Sequence, residues 1–228
     1  GYFASVPIRI HTFTGQVWGT KSGLPRAILK ALDKLIVLLN SDIITDSQSQ
    51  AVFLQDEGVL GLGGSVTFLS GSISGVDIDR FKPNSVVRAQ TRDALAIPHD
   101  EFVLLYVGRI KREKGILELA QAFKSFLDSG NRGLLLLVGP DEECLESAVK
   151  DILKEHLKQV RVVGYVNNPE DFMASADVLT LPSHREGFGS VIIEGAACGL
   201  PSIASNIYGL SDAVVPGITG ILVKKSDE

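Results

Sequence analysis

Cysteine is scarce in this 228-residue chain: Cys144 and Cys198 are the only two, far apart and without ligand-like spacing. That excludes a disulfide framework and gives no reason to expect a zinc site; a reducing cytoplasm is the natural setting. Long apolar runs are missing as well. A bilayer span needs roughly 20 such residues, and the runs at 35–39 and 134–138 are only strand-length. There is no signal-peptide pattern, no low-complexity tract and no internal repeat. Basic charge is not in excess either, the formal net charge being −5, which argues against a nucleic-acid binder driven by global electrostatics.

What is present is material for a core, with 45% hydrophobic and 21% charged residues. Short apolar runs at 102–107, 134–138, 160–163, 178–181 and 202–204 read as strands. Between them, amphipathic stretches at 115–127, 142–154, 169–174 and 190–198 read as helices. Continuous apolar strands alternating with helices predict an α/β fold, a parallel sheet covered on both faces. In such a fold the ligand crevice lies at the carboxyl ends of the strands. Residues 1–80 repeat the style on a smaller scale, with strands expected at 8–12, 43–45 and 67–69 and helices at 24–39 and 48–57. Three strands are few for an independent domain of this kind, and the chain opens inside a strand-like segment. A partial first domain over residues 1–80 and a nearly complete second over 81–228 is therefore expected, joined near Gly75 to Pro83.

The stretch from Ser183 to Glu194 carries the strongest signal. It puts Glu186 on a glycine-containing loop and Glu194 eight positions later, among Val191, Ile192, Ile193, Ala196 and Ala197. An ionised carboxylate in a buried helix is costly unless paired or hydrogen-bonded. No Lys or Arg stands three or four positions away to pair it, so its partner must come from elsewhere in the fold or from a ligand. Gly187 and Gly189 let the backbone approach a ligand closely, although an ordinary strand-to-helix turn also favours glycine. Upstream, Gly108 and Arg109 follow a strand, and Lys114 and Gly115 come where a helix opens. Two cations beside a helix amino-terminus suit a diphosphate. Lys111 and Arg112 read as ordinary surface charge.

Taken together, Tyr106 to Gly115 and Glu186 to Glu194 resemble the two donor-site signatures of family-4 glycosyltransferases of the GT-B fold. The stretches Asp46 to Ser49, Gly75 to Pro83, Ala176 to Val178 and Cys198 to Pro201 resemble the same framework, so the likeness covers nearly all of the chain. The resemblance implies a retaining transferase that moves a sugar from a nucleotide-sugar, UDP-sugar foremost, to a saccharide or lipid-linked acceptor. It further implies a place in bacterial surface polysaccharide synthesis. Arg109 and Lys114 would neutralise the leaving diphosphate, and Glu194 would accept hydrogen bonds from ribose hydroxyls. Glu186 would stand beside the donor sugar, with the amides of Gly187, Phe188 and Gly189 near sugar and phosphates. His11, expected at a strand end, resembles the histidine placed between acceptor and donor; a structural role is its alternative. No metal and no separate cofactor are implied.

Tyr208 and Asp212 depart from the family pattern of Gly-Gly followed by Glu, which leaves the contacts of that loop open. Asp77 and Asp79 resemble a metal-binding Asp-x-Asp but fall in the interdomain connection, and read as structural. Arg9, Lys21, Arg26, Lys30 and Lys34, with Phe13 and Trp18 among them, raise the expectation of peripheral contact with anionic lipid at the inner face of the membrane. The alternatives are a solvated helix face for that segment and, for the whole chain, a donor-binding fragment without activity or a GT-B-fold epimerase.

Overall fold

The computed structural model describes residues 1–67 and 71–224. Two compact units are distinguished. The first comprises Gly1–Gly75 together with two later segments, Arg185–Ser190 and Ile207–Ala213. The second comprises Val76–His184, Val191–Asn206 and the chain from Val214 on.

The first unit contains β1 (Ile10–Phe13), α1 (Gly23–Leu39), β2 (Asp42–Thr45), α2 (Gln48–Asp56) and β3 (Val66–Thr67). Its strands pair in parallel in the order β1-β2-β3, with Phe13 opposite Thr45 and Ile44 opposite Val66. Positions 68 and 69 of the expected strand 67–69 lie outside the described residues. The core is Phe13, Trp18, Ile43, Leu54, Val59 and Leu60, with Leu29, Ile36 and Val37 of α1 packed against it. Those α1 positions share one helical face. α2 starts where it does because the Ser47 hydroxyl accepts the amide of Gln50, a conventional amino-terminal cap.

The second unit begins with α3 (Ser85–Ala94) and continues through β4 (Val103–Val107), α4 (Ile116–Asp128), β5 (Leu134–Val138) and α5 (Glu146–Ile152). There follow β6 (Val160–Gly164), α6 (Pro169–Ser175), β7 (Val178–Leu181), α7 (Ser190–Ala197), β8 (Ser202–Ser205), α8 (Leu210–Ala213) and β9 (Gly220–Val223). Ser190, the first residue of α7, and α8 belong to the first unit. The sheet is parallel throughout and runs β6-β5-β4-β7-β8-β9. All five residues of β5 are buried, as a strand covered on both faces demands. The expected α/β class is therefore observed in both sheets.

Three differences from the sequence expectation have local causes. The helix expected at 142–154 starts only at Glu146. The Asp141 carboxylate accepts the amides of Glu143, Leu145 and Glu146, and that holds the preceding residues in a turn. α3, absent from the expectation, is polar along most of its length and is held through Arg92. That fully buried side chain donates to the carbonyls of Ser175, Pro98, His99 and Glu101 and to Asp177. Finally, β9, also absent from the expectation, is a four-residue edge strand that alternates half-buried and exposed residues.

Candidate active site

In the second unit, strand order reverses between β4 and β7, the topological switch point at which doubly wound sheets place ligands. The segments leaving these two strands contain the two motifs. After β4 come Arg109 and a short 3-10 turn, Arg112–Lys114, that ends at Gly115 and opens α4. The amino-terminal cap of α4 is Gly115, which has no side chain to offer, and the amides of the first turn carry the partial positive charge of a helix start. Arg109 is 52% exposed and its guanidinium stands 3.7 Å from Glu142. The tighter partner of Glu142 is Lys111, at 2.6 Å, and that ammonium first, with Arg109 adding to it, holds the Glu142 carboxyl below the usual range. Lys111 is thus occupied structurally, while Arg109 keeps a long, solvent-exposed reach.

Glu194 lies in the second turn of α7. Gly195, next to it, presses the helix against β7: a Cβ there would lie 2.9 Å from Leu179 Cδ2. α7 is less buried than its composition suggests, because Ile192 and Gly195 are inside while Val191, Ile193, Ala196 and Ala197 are half-exposed. Glu194 itself is half-buried, and among the described residues its carboxylate has no hydrogen bond or ion pair. Burial raises its pKa above the usual carboxylate value, the charge of Arg80 opposes that rise, and Glu170 adds to it. Arg80 contributes field only, since its guanidinium is bonded to Glu170 at 2.8 and 2.7 Å and to the Asn167 carbonyl.

The Glu186 turn belongs to the first unit. Arg185 donates to the Gly15 carbonyl at 3.0 Å. A Cβ on Gly187 would lie 3.0 Å from the Gly15 nitrogen and 3.2 Å from Asp46 Oδ2. Phe188 is buried, its ring lying where a Cβ on Gly71 would sit at 2.6 Å, so that side chain is a packing element and only its backbone is available to a ligand. Gly189 takes the positive φ of +75° that ends the turn. His11 is the second residue of β1 and not its end; its half-buried ring meets Phe13 edge-on with centroids 4.6 Å apart. The expected site residues therefore divide: Arg109, Lys114 and Glu194 in the second unit, His11 and Glu186 to Gly189 in the first.

Two other expectations meet the structure directly. Phe13 and Trp18 are core residues of the first unit, Trp18 only 1% exposed, so neither aromatic ring faces a lipid surface. Arg26 and Lys30 are paired with Glu57 and lie over the Trp18 ring. Asp77 Oδ1 accepts the amides of Asp79 and Arg80, the hydrogen bonding of a turn. Among the described residues no three His, Cys, Asp or Glu side chains gather as metal ligands. Among the described residues no helix is long and apolar enough to cross a membrane.

Residues 87–228 match the family described as "Glycosyl transferases group 1". This chain belongs to that family. The chain is 34% identical over 226 residues to the capsular polysaccharide biosynthesis glycosyltransferase CapM of Staphylococcus aureus, covering 97% of this chain and 58% of CapM. Among solved structures, sucrose-phosphate synthase from Thermosynechococcus elongatus superposes with a TM-score of 0.76 at 30% identity, over 96% of this chain and 55% of that one. HepE from Anabaena, crystallised with UDP, gives a TM-score of 0.76 at 22% identity, over 94% and 58% of the two chains, a likeness of fold. The chain thus has the GT-B type of α/β architecture. It spans little more than half the length of these relatives.

Proposed function

We propose that this chain is the nucleotide-sugar-binding part of a retaining glycosyltransferase that acts on a saccharide or lipid-linked acceptor in bacterial surface polysaccharide synthesis. The observation that carries the proposal is Glu194, a half-buried carboxylate with a raised pKa and no protein partner among the described residues, on the helix that follows β7 at the switch point. Such a group is stabilised by hydroxyl donors, and a ribose supplies two side by side. Arg109, Lys114 and the first-turn amides of α4 meet the diphosphate and stabilise it as it leaves. Glu186 stands beside the sugar, with the amides of Gly187, Phe188 and Gly189, and His11 faces the acceptor side. In this reading protein cations carry the leaving-group charge and no metal is assigned. A UDP-sugar is the foremost donor, as HepE has been crystallised with UDP and with UDP-glucose. CapM and the putative teichuronic acid glycosyltransferase TuaC of Bacillus subtilis support the pathway. The thiols of Cys144 and Cys198 are free, which fits a reducing cytoplasm.

The test uses the full-length protein. Thermal shift with UDP-, GDP- and ADP-sugars identifies the base, because a ligand of the native state raises apparent stability. Glu194→Ala weakens nucleotide binding by calorimetry, whereas Glu186→Ala leaves binding intact and reduces transfer. Equal nucleotide affinity for wild type and Glu194→Ala removes the ribose assignment. Conversion of the donor to its epimer without acceptor and without net release of nucleotide would instead identify an epimerase.

A further inference from the structure

We infer that Tyr208 and Asp212, neither of which has an assigned role, are positioning residues that hold the Glu186 turn in place. The inference rests on the reading of Glu186 as the group beside the donor sugar. Its basis is a closed circuit of contacts inside the first unit. Gly209 has φ +83°, and a Cβ on it would lie 2.4 Å from the Gly187 carbonyl oxygen and 3.0 Å from that of Glu186. Gly187 in turn lies against Gly15, where a Cβ would come within 3.0 Å of the Gly15 nitrogen. Three backbones therefore meet at Gly15, Gly187 and Gly209, and a junction of glycines has no side chains of its own to fix it.

The flanking residues supply the fixing. The Asp212 carboxylate accepts the amide of Ser49 at 2.8 Å and its hydroxyl at 2.7 Å. That puts a negative charge at the amino-terminal turn of the nine-residue helix α2, where the dipole favours it. The Ser49 hydroxyl also accepts the Gly209 amide at 2.7 Å. The Tyr208 ring stacks on Phe53 at 4.5 Å and 19°, and Phe53 stacks on Trp18. The Tyr208 hydroxyl accepts the Gln16 amide at 3.2 Å. Gln50, fully buried on α2, closes the ring by donating to the Thr14 carbonyl and to Gln16 Oε1. Each member of the circuit touches the next: α2, the 14–16 loop, the Glu186 turn and the 208–212 loop. Loss of Tyr208 or Asp212 opens it at the contact against Glu186 and Gly187.

The experiment compares full-length wild type with Asp212→Ala, Asp212→Asn, Tyr208→Ala and Tyr208→Phe. Asn keeps an oxygen that accepts both Ser49 bonds, and Phe keeps the stack. A misplacement of about 1 Å near the chemistry costs up to ~100-fold in rate. We therefore expect kcat to fall by about 10- to 100-fold in the two alanine variants with donor KM changed less than about 2-fold, and the conservative variants to recover most of it. Hydrogen exchange should quicken at amides 185–190 in Asp212→Ala and stay unchanged in β4. Unaltered kcat together with unaltered exchange at 185–190 overturns the inference. So does an Asp212→Asn variant as impaired in kcat as Asp212→Ala with exchange at 185–190 unaltered, because the charge would then act on the reaction and not on the turn. A Glu186→Ala enzyme that transfers normally would sink the reading of Glu186 instead, while the exchange data still decide on the circuit.

Discussion

Gly115 and Pro182 touch backbone to backbone: a Cβ on Gly115 would lie 2.1 Å from the Pro182 carbonyl oxygen. The contact joins the segment after β4 to the segment after β7, the two that flank the switch point. Gly115 also has φ +70°, a conformation that costs other residues about 1–2 kcal/mol before any clash. Gly115→Ala should therefore lower stability by more than about 2 kcal/mol. It should also weaken nucleotide binding, as α4 can no longer begin at its present place. Urea unfolding followed by calorimetry with a nucleoside diphosphate measures both; a native urea midpoint would show that the contact is not tight.

Asp177 anchors a buried cation. Its oxygens accept Arg88 at 2.6 Å and the fully buried Arg92 at 3.0 Å, and also the amide of Val103 at the start of β4. Asp177→Ala leaves the Arg92 charge uncompensated inside the protein. The expected loss is about 3 kcal/mol, the lower end for a broken buried pair because Asp177 is partly exposed. Arg92→Lys should fare little better, since an ammonium cannot reach the five acceptors that the guanidinium fork meets. Denaturant midpoints test both variants.

Glu194 predicts a pH-dependent stability. Its folded pKa is raised, chiefly by burial, so ionisation costs more in the folded than in the unfolded chain. Below the ordinary carboxylate value, near pH 4, both states are protonated and Glu194→Gln should match wild type. As pH rises through the raised value, wild type loses stability that the Gln variant keeps. By pH 7 the variant should melt above the wild type. Nucleotide affinity of the wild type should fall in the opposite direction, toward acid, as the acceptor carboxylate becomes protonated. Melting curves at pH 4 and 7 with parallel calorimetry decide this; a variant less stable at pH 7 would mean a hidden partner.

Arg109 is half-exposed and only loosely paired. Arg109→Ala should leave the melting temperature within about 1 °C of wild type while weakening UDP more than uridine. Addition of 0.5 M salt should erase much of that difference, since exposed charges are screened. Equal losses for UDP and uridine would remove the diphosphate assignment.

Much of the second unit was legible in the sequence. The runs at 134–138 and 178–181 are strands at those limits, and 102–107 and 160–163 miss by one residue at an end. Fully buried parallel strands must be continuously apolar, so composition alone exposes them. α3 escaped because what holds it is the pair Arg88 and buried Arg92, not a stripe of apolar residues. The start of α5 was misjudged because helical composition extended through residues that the Asp141 side chain holds in a turn. In the first unit, Trp18 and Phe13 looked like surface aromatics among basic residues. The cations in fact fold over Trp18 toward Glu57 and leave the rings inside.

By itself the sequence determined the α/β class, the position of the motifs after strands, and the absence of any charge on α7 able to neutralise Glu194. These depend on periodicity and on neighbours three or four residues apart, both of which a linear string records. Only the tertiary structure decided that the Glu186 turn and the Tyr208 loop fold with the first unit. It alone showed that Arg80 gives Glu194 field but no hydrogen bond, and that Tyr208 and Asp212 anchor to Phe53 and Ser49. Those contacts join residues more than 100 positions apart, and their energies depend on distance and burial, which the order of residues along the chain does not encode.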